Sequence, residues 1–320
     1  MKKMSAMTLT LTTALTALAL GISTTSVSAA EPASCNTVHF SDVGWTDITA
    51  TTATASVILK SLGYEPDSKV LSVPVTYTSM KNKDIDVFLG NWMPSMAADI
   101  KPFADDKSVE TVRANLEGAK YTLATNEKGA GLGIKDFKDI AAHKEDLDGK
   151  IYGIEPGNDG NRLIIGMVDK DQFSLKGFDV VESSEQGMLA QVARANKEGK
   201  PIVFLGWEPH PMNTNFKLTY LSGGDDTFGP NYGGATVYTN VRAGFTQECP
   251  NVGALLKNLV FSLKMENEIM GKIQNDGAEP EAAATAWLKA NPTVVQPWLV
   301  GVTTKDGGDA AAAVKAKLGL

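Results

Sequence analysis

The sequence predicts an α/β protein of two domains joined by two chain crossings. Short apolar strand-like runs alternate with helix-compatible segments, the signature of strands covered by helices. The chain beyond Ala30 is also longer than one compact core usually needs. Finally, extended sequence near Thr111–Thr125 and again at Ala235–Tyr238 interrupts the alternation where the chain could pass between domains and back.

Taken in order, Lys2 and Lys3, an apolar run through Leu18-Ala19-Leu20 and the small residues Ser28-Ala29-Ala30 form a secretory signal, with cleavage expected after Ala30. Residues 1–30 are therefore set apart from the fold. The first cysteine, Cys35, lies beyond that point, which argues against a lipid anchor, and no later run is long enough to cross a bilayer. A first strand holds Val38-His39-Phe40, and a helix over Ile48–Leu62 is stopped by Gly63. A second strand is expected around Lys69–Val75, a third over Asp86–Gly90, and a short helical segment begins at Pro94.

Past the first crossing, the pattern predicts a helix at Phe137–His143, a strand at Lys150–Ile154 and a loop at Glu155–Gly160. A helix at Asn161–Lys170, a strand near Val180, a helix at Ser184–Glu198 and a strand at Pro201–Leu205 follow. The Gly-rich Ser222–Gly234 leads to the return crossing. Helices then run from Val252–Lys264 onward, including Pro280–Ala290, which Asn291-Pro292 stops. The first domain is thus discontinuous, 31–115 with 232–320, around a second domain of 116–231.

Charge and motifs exclude several functions. Removal of Lys2 and Lys3 takes the formal charge from −7 to −9, which disfavours nucleic-acid binding and suits a small cation. No P-loop, His-Glu-x-x-His, Gly-x-Ser-x-Gly or dinucleotide fingerprint occurs. Gly129-Ala130-Gly131-Leu132-Gly133 reads as a flexible turn. His39, His143 and His210 have no ligand-like spacing, so neither a metal nor another cofactor is expected. Cys35 and Cys249 lack the context of nucleophiles; in an oxidising compartment a disulfide is favoured over two buried thiols, and would place both ends of the chain in one domain.

The feature that carries function is a recurrence. Three of the five tryptophans follow an apolar run and sit beside glycine: Gly44-Trp45-Thr46-Asp47, Gly90-Asn91-Trp92-Met93-Pro94 and Gly206-Trp207-Glu208-Pro209. The carboxyl ends of strands in open α/β sheets face the ligand crevice, so three indoles at three such ends can converge. Their natural guest is a quaternary ammonium held by cation–π attraction. Each tryptophan taken singly reads better as a plug at the rim of a core, and the threefold recurrence is what favours the cage. Trp287 and Trp298, in apolar helical surroundings, read as core.

Asp47 has two readings, an N-cap for the helix beginning at Ile48 or a countercharge beside a bound cation. Asn158 lies in a strand-to-helix loop whose backbone amides can face a ligand; its side chain either bonds a ligand hydroxyl or carbonyl or, with Asp159, serves the turn. Tyr121, at the first crossing, is placed to close a wall of the same box.

The segments Val43-Gly44-Trp45-Thr46-Asp47, Phe88-Leu89-Gly90-Asn91-Trp92-Met93-Pro94, Ala119-Lys120-Tyr121, Gly153-Ile154-Glu155-Pro156-Gly157-Asn158-Asp159 and Leu205-Gly206-Trp207-Glu208-Pro209-His210 together resemble the exported substrate-binding proteins of ABC importers for quaternary amines, most closely those of choline uptake systems. The resemblance covers essentially the whole chain after Ala30. It implies a type II-like periplasmic-binding-protein fold, with two mixed sheets flanked by helices and two hinge crossings. It implies an aromatic box of Trp45, Trp92, Tyr121 and Trp207, with Asp47 beside the ammonium and Asn158 near a choline hydroxyl, and it is consistent with a Cys35–Cys249 disulfide. It further implies a periplasmic, monomeric, non-enzymatic receptor that serves inner-membrane permease subunits. Choline is the expected ligand, followed by acetylcholine and, more weakly, glycine betaine.

A receptor for glycine betaine or carnitine would need a donor for the ligand carboxylate, and Arg162 and Lys120, the basic residues near the motifs, are not well placed for it. A secreted choline-ester hydrolase is discouraged by the missing nucleophile and base. Trp45 and Trp92 fall in one domain and Trp207 in the other, so the box is expected to be complete only when the two close.

Overall fold

A computed structural model describes residues 31–319. The expected export signal, residues 1–30, lies outside the described residues. Nine strands form one hydrogen-bonded system: β1 (Thr37–Asp42), β2 (Glu65–Val70), β3 (Val87–Met93), β4 (Val109–Asn126), β5 (Lys150–Tyr152), β6 (Asp179–Val181), β7 (Val203–Glu208), β8 (Leu218–Tyr220) and β9 (Gly234–Arg242). Their order is β2-β1-β3-β9-β4-β7-β5-β6, with β8 beside β4. The outer members pair in parallel, β1 with β2 and β3 at one end and β5 with β6 and β7 at the other. Antiparallel β4 and β9 lie between them.

The two expected sheets are therefore continuous. The cause is the length of β4: its first two thirds pair with β9 over Val109–Lys120, and its last third pairs with β7 over Lys120–Thr125. Register shifts between Thr111 and Ala119 bend and twist β4 along the stretch predicted as the first crossing.

Helices cover the sheet: α1 (Thr46–Ser61), α2 (Val73–Lys81), α3 (Ala97–Asp105), α4 (Glu127–Leu132), α5 (Asp159–Asp169) and α6 (Glu185–Glu198), followed by Pro250–Asn258, Leu263–Gln274, Pro280–Ala290 and Ala310–Leu318. Helix α1 is buried along nearly all its length and packs against the C-terminal helices Leu263–Gln274 and Pro280–Ala290. The end of the chain thus returns to the first βαβ unit. Cys35 and Cys249 fasten the same region, bonded with a Cα–Cα separation of 5.6 Å.

Several local expectations are corrected. The second strand is earlier than Lys69–Val75: Ser72 precedes a helix with Pro74 in its first turn, so Val73 and Val75 belong to α2 rather than to β2. Strands β3 and β7 continue through Trp92 and Trp207 instead of ending at the glycines before them. Gly90 serves close packing there, since a Cβ would lie 2.7 Å from the Ile48 side chain. Gly129–Leu132 is helical, because the Asn126 side chain caps α4 and Gly133 ends it in the left-handed region. Residues 94–96 form a turn, and α3 starts at Ala97. The helix expected over Val252–Lys264 is interrupted at 259–262, where Ser262 caps a new helix.

Trp287 and Trp298 are core residues, as the sequence implied. Trp298 is 1 % exposed, and its indole N–H donates to the Val260 carbonyl at 3.2 Å. Trp298→Ala is expected to lower the free energy of unfolding by about 3–5 kcal/mol, as large-to-small core changes do; urea denaturation at equilibrium measures it.

Candidate functional site

The predicted box residues come together. Trp45, Asp47, Trp92, Tyr121, Asn158 and Trp207, joined by Ile154 and Asp159, line one cavity of about 250 Å³.

Each wall follows from a local structural cause. Trp45 is the N-cap residue of α1, directly after the Gly44 turn, whose φ of +83° favours glycine. Trp92 lies in β3, and Tyr121 and Trp207 are direct partners in the β4–β7 ladder. Cross-strand pairing sets the last two side by side on one face. Their ring centroids are 6.2 Å apart at 77°, and Trp92 approaches Tyr121 at 6.0 Å and 57°. Phe228 supports Tyr121 edge-on at 5.9 Å. Gly160 leaves the room this tyrosine occupies, since a Cβ there would fall 2.1 Å from its hydroxyl.

Polar groups fix the rings. Trp92 Nε1 donates to Asp47 Oδ2 at 3.1 Å, and Trp45 Nε1 donates to Glu155 Oε1 at 2.8 Å. The Tyr121 hydroxyl donates to Asn158 Oδ1 at 2.9 Å; the same oxygen accepts the Asn161 N–H at 3.0 Å and so caps α5. Asn158 therefore caps its own helix and orients the tyrosine. Asp47 does not cap α1: the helix begins at Thr46, Asp47 lies inside its first turn, and its carboxylate turns to Trp92 instead. The other oxygen of Asp47, Oδ1, is buried without a partner, as is Asp159 Oδ2.

The cavity is acidic. Burial and the nearby Glu185 charge push Asp47 up to about 8, against the opposing pull of the Trp92 N–H. Burial raises Glu155 to about 7 and Asp159 to about 6. Glu266 is raised well above the usual carboxylate range by burial and by Asp47. Among the described residues no lysine or arginine lines the cavity. Arg162 is engaged outside it with Asp99 Oδ2 at 2.6 Å and the Ser95 carbonyl at 3.1 Å, and Lys120 faces Glu208 at 3.4 Å. Aromatic faces with unpaired acidic oxygens and no basic group form an environment for a cation with apolar substituents.

The sequence reading missed Ile154 and Asp159, which line the cavity, and Glu155 and Glu185, which stand behind its walls. Asp159 sits in a Gly-rich loop sequence that by itself reads as a turn. Its position in the first turn of α5, immediately after a cap that bonds Tyr121, is what directs it to the cavity. No local pattern marks Glu185, which reaches Thr46 at the start of α1 from the first turn of α6.

Residues 36–290 match the OpuAC family, described as the substrate binding domain of ABC-type glycine betaine transport system. Among solved structures, an ABC-transporter choline binding protein in complex with choline is 80% identical, covers 90% of this chain and 100% of its own, and superposes with a TM-score of 0.89. An ABC-transporter choline binding protein in an unliganded semi-closed conformation is 81% identical over the same shares, with a TM-score of 0.83. The glycine betaine/carnitine transport binding protein GbuC of Listeria monocytogenes serotype 1/2a (strain 10403S) is 33% identical over 142 residues, 44% of each chain.

Proposed function

The chain belongs to the OpuAC family of ABC-transporter substrate-binding domains, and from that premise we propose that it is an extracytoplasmic receptor that captures choline between two lobes and delivers it to an ABC permease. The observation that carries this reading is the cavity itself: four aromatic side chains surround a space whose polar walls are Asp47, Asn158 and Asp159. The trimethylammonium group lies among Trp45, Trp92, Tyr121 and Trp207, near the unpaired Asp47 oxygen. The choline hydroxyl faces Asn158.

Residues 31–115 with 232–320 form one lobe and 116–231 the other. The division at 115/116 falls among the register shifts of β4, and the other immediately precedes β9. Closure brings Trp207 and Tyr121 to Trp45 and Trp92. The choline-bound relative also superposes better than the unliganded semi-closed one, which supports reading this geometry as the closed form. Residues 1–30 act as the export signal, cleaved after Ala30, and the mature monomer works in the periplasm.

The magnitudes are adequate. Each desolvated ring face contributes roughly 0.5–2 kcal/mol, so four supply several of the roughly 8 kcal/mol that micromolar affinity needs. Methyl burial and the carboxylate attraction offset the cost of ordering the ligand. A cation also relieves the repulsion among the buried acids, so it favours closure by its differential affinity for the closed state.

Glycine betaine and carnitine fit less well, because their carboxylate would meet Asp47 or Asp159 with no basic partner in the cavity. Acetylcholine keeps the ammonium and is bound, not hydrolysed, since among the described residues no nucleophile–base pair lines the site.

In a titration of intrinsic tryptophan fluorescence, choline is expected to give a saturable change at lower concentration than acetylcholine, glycine betaine, carnitine or proline. A response to proline without one to choline would overturn the assignment, and release of free choline from acetylcholine would overturn the non-enzymatic reading.

Removal of a wall should weaken binding without unfolding the protein. Trp92→Ala or Trp207→Ala is expected to raise the Kd for choline at least about tenfold, the loss of one desolvated ring face. An unchanged Kd in Trp207→Ala would remove that residue from the box.

Binding should also depend on pH. The cation favours ionised carboxylates, whereas Asp47, Glu155 and Asp159 carry protons below about 8, 7 and 6 in the empty closed cavity. Choline affinity is therefore expected to fall as the pH is lowered from 8 to 6, by up to about tenfold per unit for each proton displaced. Calorimetry in buffers of different ionisation enthalpy should detect proton release at pH 7, less of it in Asp47→Asn. A flat profile would show that these carboxyls are already ionised before the ligand arrives.

A further inference from the structure

The segment Trp45-Thr46-Asp47 supplies two walls of the cavity, yet the start of α1 is poorly held by its own sequence. A helix leaves its first N–H groups without intrahelical partners, and these are normally met by a Ser, Thr, Asp or Asn at the N-cap. Here the N-cap residue is Trp45, whose side chain makes no capping bond. The acceptor comes from 139 residues away: Glu185 Oε2 receives the Thr46 N–H at 2.9 Å. The Thr46 hydroxyl donates to the other oxygen of the same carboxylate. Gln274, at the end of the helix Leu263–Gln274, donates to the Thr46 hydroxyl at 2.8 Å and also contacts Glu185.

On its own side, Glu185 is held by His210. His210 Nδ1 accepts the Met212 N–H at 3.0 Å, which leaves the imidazole proton on Nε2, 3.2 Å from Glu185 Oε1. Both side chains are fully buried. One residue before Thr46, the Trp45 indole N–H meets a second glutamate, Glu155, at 2.8 Å.

We propose that Glu155 and Glu185 are positioning residues that clasp Trp45-Thr46-Asp47 from the opposite lobe, and that this clasp sets how long the closed, ligand-holding form lasts. The inference rests on the two-lobe receptor reading: both glutamates lie within 116–231, whereas Trp45, Thr46 and Gln274 lie in the other lobe. When the lobes part, Thr46 N–H and Trp45 Nε1 lose these acceptors, while Glu185 keeps His210. The Thr46–Glu185 bonds are buried and placed at the positive end of the α1 dipole, and the Trp45–Glu155 bond is partly buried. Other cross-lobe contacts are weaker candidates. Arg162–Asp99 has an Arg162 side chain 41 % exposed to screening solvent, and Asn215–Asn275 is neutral and exposed.

Contacts present only in the closed form act on opening rather than on encounter, so they appear in the dissociation rate. In stopped-flow fluorescence with choline, Glu185→Ala and Glu155→Ala are each expected to raise the dissociation rate constant roughly tenfold or more, the effect of one lost charge-assisted hydrogen bond. Association should change less than about twofold, and the ligand-free thermal midpoint should be unaltered in Glu155→Ala, because the ligand-free protein is mostly open; Glu185→Ala also gives up its buried bond to His210, so for that variant the release rate is the deciding readout. Glu185→Gln keeps one acceptor oxygen and should fall between wild type and Glu185→Ala.

Unchanged dissociation in both alanine variants, or a lowered ligand-free midpoint without faster release, would overturn the clasp. A second measurement needs no ligand: pulsed distance measurements between spin labels at exposed Lys69 and Lys197 should show a smaller closed population in Glu185→Ala than in wild type, and identical distributions would overturn it. Failure of the receptor reading is distinguished by wild type showing no saturable response to choline while the label distances still respond to the substitution.

Discussion

Buried negative charge without a fixed positive partner is the constraint around which this cavity is built. Asp47 and Asp159 line it, Glu155 stands behind the Trp45 indole, and Glu185 lies at the start of α1. Burial alone would favour the neutral forms of Asp47, Glu155 and Asp159, and repulsion from nearby carboxylates acts in the same direction. A native protein keeps such groups together only where something compensates them. Helix N-termini and indole N–H donors do part of this, and an incoming cation would do the rest. The carboxylates also orient the cage, since Asp47 and Glu155 each fix an indole by its N–H and so determine which ring face is presented.

The sheet places the remaining walls. Because β4 pairs first with β9 and then with β7, a single strand carries the chain from one end of the sheet toward the other and delivers Tyr121 beside Trp207. The turn before α5 then presents Asn158, whose side-chain oxygen caps its own helix and accepts the tyrosine hydroxyl. Backbone geometry and ring geometry are thereby tied together. Displacement of the α5 N-terminus would move Tyr121, and displacement of α1 would move Trp45 and Asp47.

Much of the arrangement was legible along the chain because it is local. Apolar runs identified most strands, the helix stops at Gly63 and Asn291-Pro292 held, and the glycine-flanked tryptophans marked three walls of the cavity. The expectations that failed did so where neighbours, rather than sequence neighbours, decide. Gly90 resembles a turn residue, yet it is glycine because Ile48 of α1 packs against the strand. Val73 and Val75 resemble a strand, yet Ser72 and Pro74 start a helix there. Asp47 resembles a cap, but the acceptor at the start of α1 belongs to Glu185.

Sequence by itself determined the fold class, the convergence of Trp45, Trp92, Tyr121 and Trp207, and the acidic character that suits a cation, because periodicity, residue type and charge are properties of the chain. The tertiary structure alone decided that Asp159 joins the cavity wall, that the two expected sheets are continuous through β4, and that Glu155 and Glu185 hold the Trp45-Thr46-Asp47 segment. Those outcomes depend on which donors and acceptors meet once burial removes water as their partner, and residues more than a hundred positions apart meet only when the chain has folded.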